Sequence, residues 1–212
     1  MKDLPVFTTE YGVASLILRE IAYQGKAYIK LQATQQPKEL LEECVGFCKA
    51  LGAEAIFAGG HVYLERYPFH TAILQMQCEK DRIGETDAAL WPLQPEKVNA
   101  FLEIYREKVK KVPNGAWLTD ADGTKLAAQG GGYFIHRQGE LLGIGIVERN
   151  EIRFVAALVP GAGKDVICAL MGSVADETVT LEVASANQKA ISLYEKLGFI
   201  PVREISRWYR VG

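Results

Sequence analysis

The sequence predicts an α/β protein whose central mixed β-sheet is flanked by helices, and three stretches support that prediction. Residues 152–159 are almost entirely apolar, as expected for a strand buried at the centre of a sheet. Residues 178–199, TVTLEVASANQKAISLYEKLGF, pass from a β-branched run through a small polar loop into an amphipathic helix. Residues 37–51 form another amphipathic helix, with Pro37 at its start and Gly52 just past its end.

The size and charge of the chain limit its partners. The chain has 212 residues, which is enough for one large domain or two small ones. Its net charge of −2 gives no reason to expect a polyanion, so no nucleic-acid partner is predicted. The short basic cluster of Lys108, Lys110 and Lys111 is typical of the solvated last turn of a helix.

The N-terminal segment has no apolar core of the kind that signal sequences carry. No run in the chain approaches the roughly 18 apolar residues of a membrane span. We therefore expect a cytoplasmic protein with no membrane partner.

The four cysteines do not indicate a metal site. Cys44 and Cys48 lie four residues apart and share one face of the predicted helix, so packing in the core is their expected role. No further ligands with metal-site spacing accompany them. Cys78 and Cys168 lie within apolar runs and are also expected in the core.

The part of the chain after residue 88 divides into alternating strands and helices. In order, the prediction is a strand at 89–93, helices at 95–112 and 117–129, strands at 133–137, 141–147 and 152–159, a helix at 165–172, a strand at 178–183, a helix from 187 and a closing strand at 199–208. The TDADG segment interrupts the apolar pattern of the second helix, so we expect that helix to be short.

The N-terminal part also alternates between strands and helices. The predicted elements are paired strands at 13–21 and 27–33, the helix at 37–51, a strand at 55–58, a helical turn at 61–67 and a strand at 71–78. Charged residues and Gly84 interrupt the apolar pattern near residues 81–88, which predicts a boundary there.

Five residues near the C-terminus point to a family. They are Asn187, Ala190, Tyr194, Gly198 and Phe199. Their segment resembles the GNAT acyltransferase superfamily, and the order of elements from about residue 85 onward is similar to the GNAT order. The resemblance implies an N-acetyltransferase that moves an acetyl group directly from acetyl-CoA to a primary amine.

The same resemblance suggests two domains, residues 1–84 and residues 85–212, of which the second would be a complete GNAT-like domain. The order of elements in the first is also that of the second half of a GNAT domain. It is therefore either a degenerate half-repeat or an unrelated α/β extension, and the sequence leaves both open.

The resemblance also implies the residues that would bind the coenzyme. The turn and helix start at Gly161, Ala162, Gly163 and Lys164 would cradle the pyrophosphate, since a glycine-rich turn before a helix exposes N–H groups. The backbone of Ala157, Leu158 and Val159 would face the pantetheine arm and the oxyanion, and Asn187 would cap its helix and contact the arm. Tyr194 would both contact the coenzyme and serve as the general acid for the leaving thiol.

The turn departs from the usual GNAT pattern of Gln or Arg, two residues, Gly, one residue, and Gly or Ala. Ala162 stands at the Arg position, and Asp165 and Ile167 stand at those of the two glycines. We expect Asp165 to cap the helix with its carboxylate, to occupy the N–H donors there and to repel a pyrophosphate.

The acceptor side is less defined. Glu151, at the start of the central strand, is the candidate general base, and Glu148 in the same ERNE turn is the alternative; solvated surface charge is the ordinary role of both. The acceptor would be a small-molecule or peptide amine, and a homodimer is left open. The competing hypothesis is a GNAT-like binding or regulatory protein with weakened catalysis.

Overall fold

The structure, a computed structural model, describes residues 5–82 and 84–212, and its contacts divide them into two compact units. The first unit contains the described residues before Leu74 together with Glu204–Gly212, and the second is Leu74–Arg203. Two strands run from one unit into the other. The division at residue 84 that the sequence suggests stays a prediction.

The first unit is built around a parallel pair of strands joined by a helix. Its elements are β1 (Val6–Thr9), β2 (Gly12–Ile17), a one-turn helix α1 (Ile21–Gln24), β3 (Lys26–Thr34), α2 (Pro37–Ala50), β4 (Ala55–Gly59), a 3₁₀ helix (Val62–Arg66), the start of β5 (Phe69–Glu79) and the end of β11 (Ile200–Arg210). The strand order runs β1-β2-β3-β4-β11. Strands β3 and β4 are parallel, and the other pairs in that order are antiparallel.

The second unit repeats that arrangement with different strands. After β5 and a 3₁₀ turn (Lys80–Arg82) come β6 (Ala89–Pro92), a 3₁₀ turn (Pro95–Lys97), α3 (Val98–Val109), α4 (Asp120–Gln129), β7 (Gly132–Arg137), β8 (Glu140–Glu148), β9 (Glu151–Ala157), α5 (Gly163–Ser173), β10 (Thr178–Ala184), α6 (Gln188–Lys196) and the start of β11. The strand order runs β5-β10-β9-β8-β7-β6, and β9 and β10 are parallel.

The α/β fold class with a mixed sheet and flanking helices is thus confirmed. In each unit a hairpin is followed by a third strand, a helix and a fourth strand that is parallel to the third. The next strand in the sheet order is β11 in the first unit and β5 in the second. Both interpretations of the first unit, a degenerate half-repeat and an unrelated α/β extension, stay predictions.

Two local predictions were wrong or incomplete. Helix α4 begins at Asp120, because Thr119 caps it: the Thr119 hydroxyl accepts from the N–H of Asp122, whose carboxylate accepts from the N–H of Thr119. The TDADG segment is therefore the first turn of α4, and it does not interrupt the helix. Strand β1 and helix α1 were not predicted.

Each unit has its own hydrophobic core. In the first, Leu40, Leu41, Cys44 and Cys48 of α2 are buried against the sheet, so both cysteines pack as predicted. In the second, six consecutive residues of α5, 166–171, are buried. In the described part of the chain no helix has the length and apolar character needed to cross a membrane.

Helix α5 lies close to the sheet because β8 carries glycines beneath it. A Cβ at Gly143 would stand 2.5 Å from the carbonyl oxygen of Ala156 and 2.8 Å from a methyl group of Val166. A Cβ at Gly145 would stand 2.4 Å from a methyl group of Leu170. Larger residues at these positions would push α5 away from β8.

We therefore expect Gly143→Ala to lower the midpoint of thermal or urea unfolding, because overpacking of a tight core costs about 1–3 kcal/mol. Gly46→Ala is the matched control. Gly46 is exposed within α2 and has nothing within 4 Å of its Cβ position, so this change should raise the midpoint by improving helix propensity. Equal midpoints for the two variants would contradict the close packing of α5 on β8.

Candidate active site

The parallel strands β9 and β10 separate soon after they begin. Their register contains two pairs, Thr180 with Glu151 and Leu181 with Ile152, and the N–H of Thr180 donates to the carbonyl of Asn150 at 2.8 Å. Strand β9 continues to Ala157 without further pairing to β10 among the described residues. The two strands therefore enclose an open gap.

A β-bulge lies where the strands separate. On the β8 side, Phe154 pairs with Ile146 and Ile152 pairs with Val147, so Arg153 is the extra residue on β9. A bulge bends its strand and increases the local twist. The bulge at Arg153 thus turns the rest of β9 away from β10.

The gap exposes one edge of the β9 backbone. The N–H of Leu158 donates to the carbonyl of Leu142 at 2.8 Å, so its amide points toward β8. Hydrogen-bonding directions alternate along an antiparallel pair, which turns the backbone groups of Val155 and Ala157 toward the gap. Of the candidate backbone residues, Ala157 thus faces the gap, whereas the Leu158 N–H is used inside the sheet.

A tight turn connects β9 to α5. The carbonyl of Val159 accepts from the N–H of Ala162 at 3.2 Å, and Gly161 has a φ of +86°, which favours glycine. Helix α5 begins at Gly163 with Ala162 as its N-cap. The first N–H groups of the helix, those of Gly163 and Lys164, have no partner within the helix and can bind an anion.

The expectation that Asp165 caps this helix was wrong. The helix begins two residues earlier than predicted, and no side chain caps it. The Asp165 carboxylate instead accepts from Arg137 at 3.0 Å and from the Thr86 hydroxyl at 3.2 Å. It therefore leaves the first N–H groups of the helix free, and a guanidinium partly neutralises its charge.

Lys164 lies beside Gly84. A Cβ at Gly84 would stand 3.4 Å from the Lys164 ammonium, so the lysine side chain runs over this glycine. Together with Arg137, Lys164 places two cations close to the start of α5. Sequence reasoning did not identify Arg137, since it lies on strand β7, 28 residues before Asp165.

Helix α6 packs against the same turn. Asn187 is its N-cap, and the side-chain oxygen accepts from the N–H of Ala190 at 3.3 Å. A Cβ at Gly163 would stand 2.8 Å from a methyl group of Leu193, so the missing side chain lets α6 approach the start of α5. Tyr194 follows Leu193 and belongs to the same core cluster as Val155 and Val159.

Tyr194 is a buried tyrosine whose hydroxyl donates no hydrogen bond to another described residue. The residue is 7% exposed, and its ring lies 5.8 Å from that of Phe199. Burial raises the pKa of Tyr194 to about 12. Its hydroxyl makes no hydrogen bond to another residue in the described part of the chain. The phenol is therefore a neutral hydrogen-bond donor throughout the ordinary pH range.

Two carboxylates lie on one face near the start of the gap. Glu151 accepts from Arg153 at 2.8 Å. Glu182 is the first residue of β10 past the last pair with β9, on the side opposite the buried residues Leu181 and Val183. Partial burial, and then the negative charge of Glu151, raise the pKa of the Glu182 carboxyl. The strand alternation Leu-Glu-Val could have identified Glu182 from the sequence.

The equivalent strands of the first unit do not separate. Strands β3 and β4 pair over five positions, from Lys26 with Ala55 to Lys30 with Gly59, which is the full length of β4. The gap is therefore a property of the second unit. The described residues contain no group of three or more His, Cys, Asp or Glu side chains that could hold a metal ion.

Comparison with known proteins gives similarity at the level of structure. No family model matches the sequence, and no curated protein matches it. A conserved protein of unknown function from Staphylococcus epidermidis is 10% identical with a TM-score of 0.62, over 99% of this chain and 94% of that one. A tandem GNAT protein from the clavulanic acid biosynthesis pathway is 12% identical with a TM-score of 0.54, over 95% of this chain and 78% of that one.

A GCN5-related N-acetyltransferase from Kribbella flavida is 12% identical with a TM-score of 0.59, and the match covers 96% of this chain and 58% of that one. Identities this low show a common fold and leave activity open. The chain therefore has the fold of the GNAT acetyltransferases, as the residues from Asn187 to Phe199 predict.

Proposed function

We propose that the chain is an N-acetyltransferase that moves an acetyl group from acetyl-CoA to a primary amine. The gap between β9 and β10 carries the proposal, because it exposes a backbone edge beside a helix N-terminus and an uncommitted phenol. These are the three groups that a thioester donor with an anionic end requires.

The pantetheine arm of acetyl-CoA contains amides that can pair with an open strand edge. Val155 and Ala157 supply that edge, in the manner of a peptide added to a sheet. The pyrophosphate would lie at the turn from Gly161 to Lys164, where free N–H groups and the helix dipole favour an anion. Asn187 holds the start of α6 beside this turn.

Tyr194 is the proposed general acid for the leaving thiol. Its pKa of about 12 lies well above the value of about 8.5 for an alkyl thiol, so complete proton transfer to the sulfur is uphill by several kcal/mol. The phenol therefore acts mainly by donating a hydrogen bond to the sulfur as negative charge builds there.

The attacking amine must lose a proton, and two carboxylates are candidates to accept it. Glu151 is the base that the sequence suggests, but its ion pair with Arg153 occupies one carboxylate oxygen. The Glu182 side chain makes no ion pair with another described residue, and its pKa is raised, which favours its carboxylate as a proton acceptor. We therefore assign Glu182 as the group that accepts the proton of the attacking amine, and Glu151 as the group that holds Arg153 in place.

A second candidate function is a binding or regulatory protein that retains the fold without efficient transfer. The negative charge of Asp165 in the first turn of α5 favours it, since that carboxylate weakens the attraction of the turn for a pyrophosphate. Binding of acetyl-CoA without turnover of any amine would select this candidate.

Calorimetric titration with acetyl-CoA should give one molecule bound per chain, because β9 and β10 separate and β3 and β4 do not. The melting temperature should rise as well, since a ligand at 100 times its dissociation constant adds about 2.7 kcal/mol. If about 1 mM coenzyme gives neither a binding isotherm nor a higher melting temperature, the proposal that the chain is an enzyme is wrong. Two molecules per chain would contradict the assignment to the second unit alone.

Tyr194→Phe should leave the affinity for acetyl-CoA unchanged and slow acetyl transfer by about 10²-fold or more, the usual contribution of a positioned acid. The measurement is release of free thiol with a panel of primary amines. Tyr133→Phe is the control, because it removes the hydroxyl of a second tyrosine, which is partly buried against the same core. Equal rates for the two variants would exclude Tyr194 from the chemistry.

Asp165→Asn should tighten acetyl-CoA binding about twofold to fivefold, because a charge in the first turn of a helix is worth about 0.3–1 kcal/mol there. Asp87→Asn removes the other carboxylate near Arg137, at 3.7 Å, and lies outside the helix, so it should change the affinity less. The difference should shrink at high salt. Weaker binding by Asp165→Asn would refute the repulsion.

A further inference from the structure

The first unit contains a cleft that the proposed acetyl transfer does not use. It has a volume of about 410 Å³ and lies at the end of β4, with residues 59–62 on one side and residues 204–209 of β11 on the other. This volume falls in the range of about 300–1,000 Å³ that small-molecule sites occupy.

Glycines shape one wall of the cleft. Gly60 has a φ of +94°, and a Cβ there would stand 2.4 Å from the carbonyl oxygen of Leu31 and 3.3 Å from Cγ of Lys30. The chain therefore turns sharply against β3, and the Lys30 side chain runs across this turn. Lys30 is one of the residues that line the cleft.

The charges that line the cleft are divided into a paired and an unpaired set. Glu204 and Arg207 form two hydrogen bonds with each other, at 3.0 and 2.8 Å, so they neutralise one another. Lys30 and Glu65 also line the cleft, and in the described part of the chain neither side chain makes a hydrogen bond or an ion pair. One free cation and one free carboxylate thus face a common space without meeting.

Neutral hydrogen-bond donors accompany these charges. Nδ1 of His61 accepts from the N–H of Tyr63 at 3.1 Å, so a neutral His61 ring carries its proton on Nε2 and can donate from there. The Ser206 hydroxyl accepts from the indole N–H of Trp208 at 2.9 Å, which leaves its own hydrogen free to donate. Both donors favour a ligand oxygen.

Two apolar side chains at the cleft are exposed to solvent. Val62 is 71% exposed and Ile205 is 40% exposed, and both line the cleft. Contact with an apolar group would remove part of their surface from water at a gain of about 25 cal/mol per Å².

We propose that this cleft binds a free amino acid with a branched apolar side chain. The ligand carboxylate is held by Lys30 with His61 and Ser206 as donors, the ligand ammonium by Glu65, and its side chain by Val62 and Ile205. A zwitterion matches these two unpaired charges better than an anion or a cation does, because a ligand with a single charge would leave either Lys30 or Glu65 without a partner. The site is independent of the coenzyme gap.

The test uses the full chain labelled with ¹⁵N and L-leucine as the probe. Amide shifts at residues 59–65 and 204–209 should move with a saturable dependence on leucine below about 10 mM, which corresponds to weak but specific binding. 4-Methylpentanoate, which lacks the ammonium, and 3-methylbutylamine, which lacks the carboxylate, should each bind at least about tenfold more weakly.

Lys30→Met and Glu65→Gln should each weaken leucine binding about tenfold or more, since each removes one charge-assisted contact. Both residues are exposed, so the fold should be retained. Lys38→Met and Glu43→Gln change exposed charges of α2 outside the cleft and should leave binding intact. No saturable shift at about 10 mM leucine, equal binding of a singly charged probe, or equal binding by the Lys30 and Glu65 variants would each overturn the proposal.

Discussion

The separation of β9 from β10 is the constraint on which the site depends. Backbone N–H and C=O groups that face away from water must find partners, so two parallel strands normally remain paired along their length. The bulge at Arg153 ends that pairing after Ile152 and Leu181. The exposed groups of Val155 and Ala157 must then be satisfied by water or by a ligand, which makes the edge a place for recognition.

Close approaches at glycines hold the other parts of the site against this gap. Gly143 and Gly145 bring α5 down onto β8, and Gly163 brings Leu193 of α6 onto the start of α5. The position of Tyr194 therefore depends on two successive close approaches made at glycines. The buried phenol remains protonated because desolvation opposes its ionised form.

Local signals allowed much of this fold to be predicted from the sequence, and long-range contacts account for what was missed. The cap at Asn187 and the helix after it depend on neighbouring residues, so the sequence predicts them well. Asp165 looked like a cap by the same local logic, but its carboxylate meets Arg137, a partner that only the folded sheet brings near. The raised pKa of Glu182 likewise depends on the folded sheet, first through partial burial of the carboxyl and then through the charge of Glu151 on a neighbouring strand.

The two units show how one order of elements can support different binding sites. In the first unit β4 is paired along its whole length, and α2 begins with Pro37, which has no N–H to offer an anion. The first unit thus lacks both the strand gap and a full set of helix-end donors at the equivalent place. The binding capacity of that unit lies instead at the end of β4, where Gly60 turns the chain and unpaired charges border a cleft.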